Sequence, residues 1–475
     1  MKKIATLSLI AFPKMLFASG GTSELPEAFI TLGFVLLILF LGVRYGKQPA
    51  ILVSIAIGIA IISLLPHEVS SKISHNPFLF AIGEIGLVML MFVSGLEGNF
   101  QTITKNLKNG GSNAIIGILL VGSAGYLVAK LLLPEASGLT HFVIAAALTP
   151  TSAGIPASIF SGKNSFKNEQ TTTIVGAITD DIIGLIILTV VNGLLAGKTD
   201  PGSIAISTFT AIAFIVIGTS IGQLGKKQLQ NLFDAAKAES LTLALVFCFI
   251  VAGLAFFAGL APMIGGYVAG LILIDIQIKD SHGEPAELEH TLAAKTVWML
   301  PAFFVLLGMK LNVANLTGNT ILFGLALTIA TLIGKGLTGK LTEKISGGTI
   351  NGTFMTFSMT SRGEVAAIMA LSAANAGLFA SNIVEGFVLM IIMTSVICVI
   401  GTNKLLKNWK IHSKFILEFF LTKKVHHPRV LRFFPWAFSQ SQYQIFHEEK
   451  VFSHQKEKFF SSSKVALQFS FSPIS

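Results

Sequence analysis

The chain has 475 residues, of which 52% are hydrophobic and only 12% charged, with a mean hydropathy of +0.74 and a formal net charge of +10. Soluble domains carry roughly 25% charged residues, so the composition excludes a water-soluble enzyme or binding module. The Lys and Arg lie mainly in loops and in the tail, which points to membrane topology and anionic lipid headgroups and not to nucleic acid.

In chain order, residues 1–20 come first. Lys2 and Lys3 precede an apolar stretch that ends in small residues near Ala18 and Ser19, the pattern of a cleavable signal peptide. Pro13 and Lys14 fit an uncleaved leader or an extra helix equally well. Long apolar runs with short polar connections then predict an all-α polytopic membrane protein. Thirteen spans are expected, at about 28–43, 50–65, 78–96, 112–133, 140–160, 171–194, 204–222, 240–259, 262–278, 296–312, 320–339, 349–374 and 383–403.

Basic residues flank alternate loops. Arg44 and Lys47 follow the first span, Lys105 and Lys108 the third, Lys163 and Lys167 the fifth, and Lys226, Lys227 and Lys237 the seventh. The pattern continues with Lys340 and Lys344, then Lys404, Lys407 and Lys410. This bias predicts an external N-terminus and a cytoplasmic C-terminus. From about 404 to 475 the pattern collapses into a basic tail, read as disordered or skimming the membrane. Cys248 and Cys398 both lie in apolar segments and form no metal spacing.

Two spans are interrupted, at 148–156 (LTPTSAGIP) and at 356–364 (TFSMTSRGE). Lipid forbids bare backbone, so such breaks occur where protein or a water-filled cavity satisfies the freed groups. They lie seven spans apart, an odd offset that reverses direction. Two broken spans in corresponding halves predict inverted repeats with a midplane ion site. The half-helix ends at 149–153 and 358–361 would flank it, presenting Thr149, Thr151, Ser152, Ser358, Thr360 and Ser361.

Ionisable groups inside spans are functional candidates. Asp180 and Asp181 interrupt an otherwise apolar helix; the alternative reading is a structural pair at a helix break. Lys335 either snorkels toward Lys340 or finds a buried anion, with Asp180 the obvious one, and Gly334 and Gly336 would let another helix approach. Arg362 and Glu364 either support the ion site or only pair with each other. Glu84 is a possible pathway residue, and Glu97 is expected at the interface. A carboxylate can hold either a proton or a monovalent cation, and competition at one group couples the two fluxes. The reading is therefore proton-coupled cation exchange, with no resident cofactor and no enzymatic chemistry.

The motifs FVSGLE at 92–97, ALTPTSAGIPASIF at 147–160, GAITDDIIGLIIL at 176–188, PAFFVLLGMKL at 301–311, LIGKGLTGK at 332–340 and SRGEVAAIMA at 361–370 follow one another along the chain. As a set they resemble the monovalent cation:proton antiporter superfamily, nearest its bacterial sodium/proton and Kef-type potassium/proton branch. The likeness covers about 28–403. It implies a homodimer in the bacterial inner membrane, with core helices at about 112–194 and 320–403 and the remainder forming a dimerisation scaffold. Spans 5 and 12 would be the crossed, discontinuous helices. The family's paired aspartates fall on Asp180 and Asp181, with Asp181 the main ion-binding group. Its membrane lysine falls on Lys335 and its arginine-glycine-glutamate element on 362–364. The Asp-Asp pair resembles the electrogenic type, which favours Na⁺ or Li⁺ over the alternative K⁺.

Overall fold

The computed structural model describes residues 29, 31–33, 35–38, 40, 50–74, 76–96, 100–160, 163, 165–236, 239–279, 285–287, 300–313 and 316–422. The leader, Glu97, and the tail from 423 onward lie outside the described residues. The described residues between 29 and 40 are helical. The first full helices are α1 (Ala50–Leu64), α2 (His67–Ser74), α3 (Pro77–Leu96) and α4 (Phe100–Leu132). The first broken span forms α5 (Gly138–Leu148) and α6 (Gly154–Phe160), followed by α7 (Lys167–Leu195), α8 (Pro201–Leu224), α9 (Lys226–Ala236), α10 (Ser240–Phe257) and α11 (Pro262–Leu273). A short antiparallel hairpin, β1 (Gln277–Lys279) with β2 (Pro285–Glu287), precedes α12 (Leu300–Gly308) and α13 (Gly318–Ile345). The second broken span forms α14 (Gly352–Ser358) and α15 (Glu364–Asn375), and α16 (Ser381–Thr422) ends the described chain.

The protein is a multi-pass, helical membrane protein. Among the described residues seven helices are long and apolar enough to cross a membrane: α3, α4 from Gln101, α7, α8, α10, α13 and α16 as far as Asn408. The expected count of thirteen is not reached on length, because α1, α5, α11 and α15 are shorter apolar helices. The three-residue strands of the hairpin are the small exception among the described residues to a helical fold. Two expectations need correction. The connection expected at 223–238 holds the helix α9. The tail expected from 404 begins instead as a continuation of α16 to Thr422.

Polar caps fix where helices start. Ser137, Asp200, Thr317 and Asn351 each accept a hydrogen bond from the backbone N–H three residues on, satisfying donors that no helix can satisfy itself. Pro201 sits at the first turn of α8, where its missing N–H costs nothing. α13 ends where Gly347 and Gly348 take φ of 66° and 81°, values that side chains other than Gly rarely adopt.

Most helix packing falls into two groups, which α8 joins by packing on α7 as well as on α11. α1 packs on α12, and α3 on α11 and α12, with α8 and α10 against α11. The other group sets α4 against α5, α7 and α13, and α16 against α13, α14 and α15. Its unit α4, α5/α6, α7 recurs in order as α13, α14/α15, α16, the arrangement of an inverted-repeat antiporter fold. Glycines bring the scaffold backbones together. A Cβ on Gly308 would lie 2.2 Å from the Ile55 carbonyl oxygen, and one on Gly58 2.0 Å from that of Val305. The outward faces of α4 and α8 remain apolar, as at Leu119 and Phe209, where lipid replaces protein.

Gly334 and Gly336 do not share one role. A Cβ on Gly334 would meet Val121 at 2.7 Å, whereas Gly336 has nothing within 4 Å. Only Gly334 is a packing glycine. Gly308→Ala is therefore expected to destabilise by about 1–3 kcal/mol through overpacking. Gly336→Ala should leave stability unchanged or raise it by about 0.5–1 kcal/mol, because Ala loses less entropy in a helix. Thermal unfolding in detergent, monitored by size-exclusion recovery, compares the two.

Candidate functional site

Asp180 and Asp181 lie midway along α7, both fully buried. Neighbours on a helix point about 100° apart, so the two carboxylates face different partners. Asp180 Oδ2 lies 3.2 Å from Lys335 Nζ and accepts from Thr151 Oγ1 at 2.5 Å. Asp181 Oδ2 accepts from Ser94 Oγ of α3 at 3.1 Å. Lys335 is 1% exposed, so it does not snorkel; its ammonium turns inward to the acid. Gly117 of α4 makes the room, since a Cβ there would lie 2.8 Å from Lys335 Nζ.

The two helix breaks meet beside this pair. The Ser152 N–H donates to the Ser361 carbonyl, and Ser361 Oγ donates to the Ser152 carbonyl, each at 3.1 Å. Gly363 is required at this contact, because a Cβ would lie 2.8 Å from the Ser152 side chain. Arg362 is fully buried. Its Nη1 donates to the carbonyls of Thr149 (3.2 Å) and Pro150 (2.8 Å) and to Thr151 Oγ1 (2.8 Å). These carbonyls cap the C-terminal end of α5, where the helix dipole is negative. Glu364 Oε2 accepts from Ser152 Oγ at 3.1 Å. Arg362 and Glu364 thus reach across the crossing to separate partners and, among the described residues, form no ion pair with each other.

Residues 3–408 match the family described as sodium/hydrogen exchanger, transmembrane. The chain belongs to the sodium/hydrogen exchanger family. It is 29% identical over 365 residues to the Na(+)/H(+)-K(+) antiporter GerN of Bacillus cereus, covering 75% of this chain and 89% of that one. It is 26% identical over 373 residues to the high-affinity Na(+)/H(+) antiporter NhaS3 of Synechocystis, covering 76% and 78%. Among solved structures, the sodium proton antiporter MjNhaP1 of Methanocaldococcus jannaschii at pH 8 superposes with a TM-score of 0.63 and 18% identity. That match covers 81% of this chain and all of MjNhaP1, and it bears on the fold alone.

Within this exchanger the remaining named residues spread out from the aspartates. Ser358 Oγ lies 2.8 Å from Thr173 Oγ1, two turns before Asp180 on α7, and Thr360 Oγ1 donates to the Thr356 carbonyl at 2.5 Å. Both buttress the second break and do not touch the acids directly. Thr149 donates to the Ala146 carbonyl at 2.8 Å, so its carbonyl, not its hydroxyl, faces Arg362. Glu84 is half-buried on α3, nearly three turns or about 15 Å from Ser94 along the axis, and it is not brought to the aspartate pair. Ser94, Tyr267 and Gly117 are contributors that the sequence reading did not name. Ser94 lies within FVSGLE, and its signal in the sequence is a small hydroxyl residue in an apolar span.

A cavity of about 370 Å³ runs beside α7. Thr102, Ala157, Phe160, Gln170, Thr171 and Ile178 line it, so it reaches within one turn of Asp181. Neither aspartate lines it, and it extends from Ile178 toward the end of α7 that carries Lys167.

Breaking one partner of a buried ion pair costs about 3–5 kcal/mol, because the other charge stays buried without it. Lys335→Met is therefore expected to be markedly heat-labile. Lys335→Met combined with Asp180→Asn should regain most of that loss. Heat-induced aggregation of the two purified variants in one detergent measures this, and equal midpoints would mean that the pair is energetically silent.

Proposed function

We propose that this protein is a proton-coupled monovalent cation antiporter of the bacterial inner membrane, exchanging Na⁺ or Li⁺ for H⁺ electrogenically. The observation that carries the reading is the buried Asp180–Lys335 pair at 3.2 Å beside a second buried acid, Asp181. The names of the relatives support the same substrate class. In this mechanism Asp181 is the group for which cation and proton compete. A cation arriving at the two acids weakens the hold of Asp180 on Lys335, and the ammonium gives up a proton. On return, protons refill the site and the ion pair re-forms. More than one proton can then move against each Na⁺, and net charge crosses the membrane.

In the orientation proposed from the Lys and Arg bias, N-terminus outside and C-terminus inside, the cavity beside α7 lies on the cytoplasmic side. α4–α7 and α13–α16 move together as the core, against a scaffold through which two copies associate as a homodimer. Anionic lipids contact the cytoplasmic lysines.

K⁺ in place of Na⁺ is the second reading. The observation favouring it is the printed name of GerN, which includes K⁺. Dequenching of a pH-sensitive dye in proteoliposomes, with Na⁺, Li⁺ and K⁺ added in turn, decides between them.

Asp181→Asn is expected to abolish cation-dependent proton flux while the protein still inserts and purifies as parent. Lys335→Gln should lose the response of Na⁺ flux to membrane potential and keep at most slow electroneutral exchange. Potential-driven ²²Na⁺ uptake reads this out. A parent-like voltage response in Lys335→Gln would remove the lysine from the proton count.

A further inference from the structure

Two hydrogen bonds cross from the scaffold to α7 at the level of the aspartates. Ser94 Oγ of α3 donates to Asp181 Oδ2 at 3.1 Å, and the Tyr267 hydroxyl of α11 donates to the Ile178 carbonyl at 3.2 Å. Their acceptors lie three residues apart, about one turn along α7. A helix carbonyl has two lone pairs, so Ile178 can take this bond beside its own helix bond. All four residues are buried.

The donors form a rigid fork. α3 and α11 are joined backbone to backbone: a Cβ on Gly95 would lie 2.2 Å from the Tyr267 carbonyl oxygen, and one on Gly270 2.3 Å from that of Phe92. Ser94 is the neighbour of Gly95, so neither hydroxyl can follow α7 if the core moves. Any displacement of α7 against the scaffold by more than an ångström or so breaks both bonds.

The Ser94 bond depends on what Asp181 carries. To an anionic carboxylate it is charge-assisted and roughly twice as strong as to a neutral group. A proton on Asp181 removes that assistance. A cation ligated by the same carboxylate draws on the same lone pairs and repels the hydroxyl proton. Resting on the antiport reading of Asp181, we infer that Ser94, braced by Tyr267, is a positioning residue that holds the core still while Asp181 is empty and releases it once the acid is loaded. An exchanger needs such an interlock, because an empty carrier that crosses freely turns exchange into leak. Lys335, Thr151 and Arg362 belong to the core and travel with α7, so their bonds cannot brake its displacement against α3 and α11.

The test uses the full-length protein carrying Thr171→Cys in the cavity; the native Cys248 and Cys398 are buried and serve as the unlabelled background. In inside-out vesicles without Na⁺ at alkaline pH, Ser94→Ala and Tyr267→Phe should each lower labelling by a membrane-impermeant maleimide at least about threefold. The loss of a bond to a charged acceptor is sufficient to shift a two-state ratio roughly tenfold. Ser94→Thr keeps the hydroxyl and should label as parent, which separates loss of the bond from misfolding. In proteoliposomes Ser94→Ala should move more Na⁺ per proton than parent, at least about twofold, and Ser94→Thr should restore the parent ratio. Unchanged labelling in both variants overturns the inference. So does changed labelling with a parent-like Na⁺ to H⁺ ratio. A parent protein with no cation-driven proton flux overturns the antiport reading instead, and the labelling arm still reports whether the fork holds α7.

Discussion

Arg362 is the side chain on which the crossing depends. A helix that stops inside an apolar slab leaves its last carbonyls without donors, and lipid offers none. α5 stops at Leu148, and the guanidinium of Arg362 reaches across from the other broken span to take the Thr149 and Pro150 carbonyls. The Ser152–Ser361 exchange ties the same two breaks through one backbone bond and one bond from the Ser361 hydroxyl. Each broken helix therefore satisfies the other, and neither break is stable alone. The arginine sits at the negative end of a helix and donates to three oxygens through Nη1, while among the described residues its buried Nε and Nη2 have no hydrogen-bond partner.

The acid site is an extension of that arrangement. Thr151 has one hydroxyl proton and gives it to Asp180, so it accepts from Arg362 with a lone pair. Donation runs from Arg362 through Thr151 to Asp180, and from the far core helix Lys335 donates to the same carboxylate oxygen, so both paths converge on Asp180. With all groups ionised, this buried cluster sets Arg362 and Lys335 against Asp180, Asp181 and Glu364. One carboxylate is then in excess, and a single proton cancels it.

Much of this was legible in the sequence, for a physical reason. Acids, a lysine and Pro-Gly breaks are so costly in lipid that their mere presence marks the site: Asp180, Asp181, Lys335 and both interruptions were read from residue type and position. Contacts made by cheap residues were not legible. Ser94 is one hydroxyl in an apolar span, and many such hydroxyls simply bond back to their own helix, as Thr179 does to Val175. Gly117 and Gly336 look alike in sequence; only three dimensions reveal that one faces an ammonium and the other faces open space. Arg362 and Glu364 stand two apart, close enough to suggest a pair. Gly363 between them is non-helical, with φ −151° and ψ −126°, and the side chains diverge. Helix ends near water were misplaced because α4 and α16 continue past their apolar stretches, where hydropathy carries no signal.

The scaffold and the core share one device and differ in another. In the scaffold, glycine seams place α1 against α12 and α3 against α11 at backbone contact, and interiors packed in this way resist small deformations. The core has such seams too, since a Cβ on Gly339 would lie 2.3 Å from the Gly352 carbonyl oxygen. It adds polar ties: Asn113 donates to Thr342 across α4 and α13 at 2.8 Å, and the Asn351 N–H donates to Glu169 across α7 and α14 at 3.1 Å. Rigid-body displacement requires that each unit be stiffer than the joint between them. Backbone-to-backbone packing supplies that stiffness in both units, and the hydrogen-bonded crossing adds to it in the core. The joint at the level of the aspartates consists of side chains, among them Ser94 on Asp181 and Tyr267 on α7. In the proposed mechanism this joint runs through the carboxylate whose charge changes with its occupant, so a change of one charge there acts on the joint directly, with no relay through the rest of the fold.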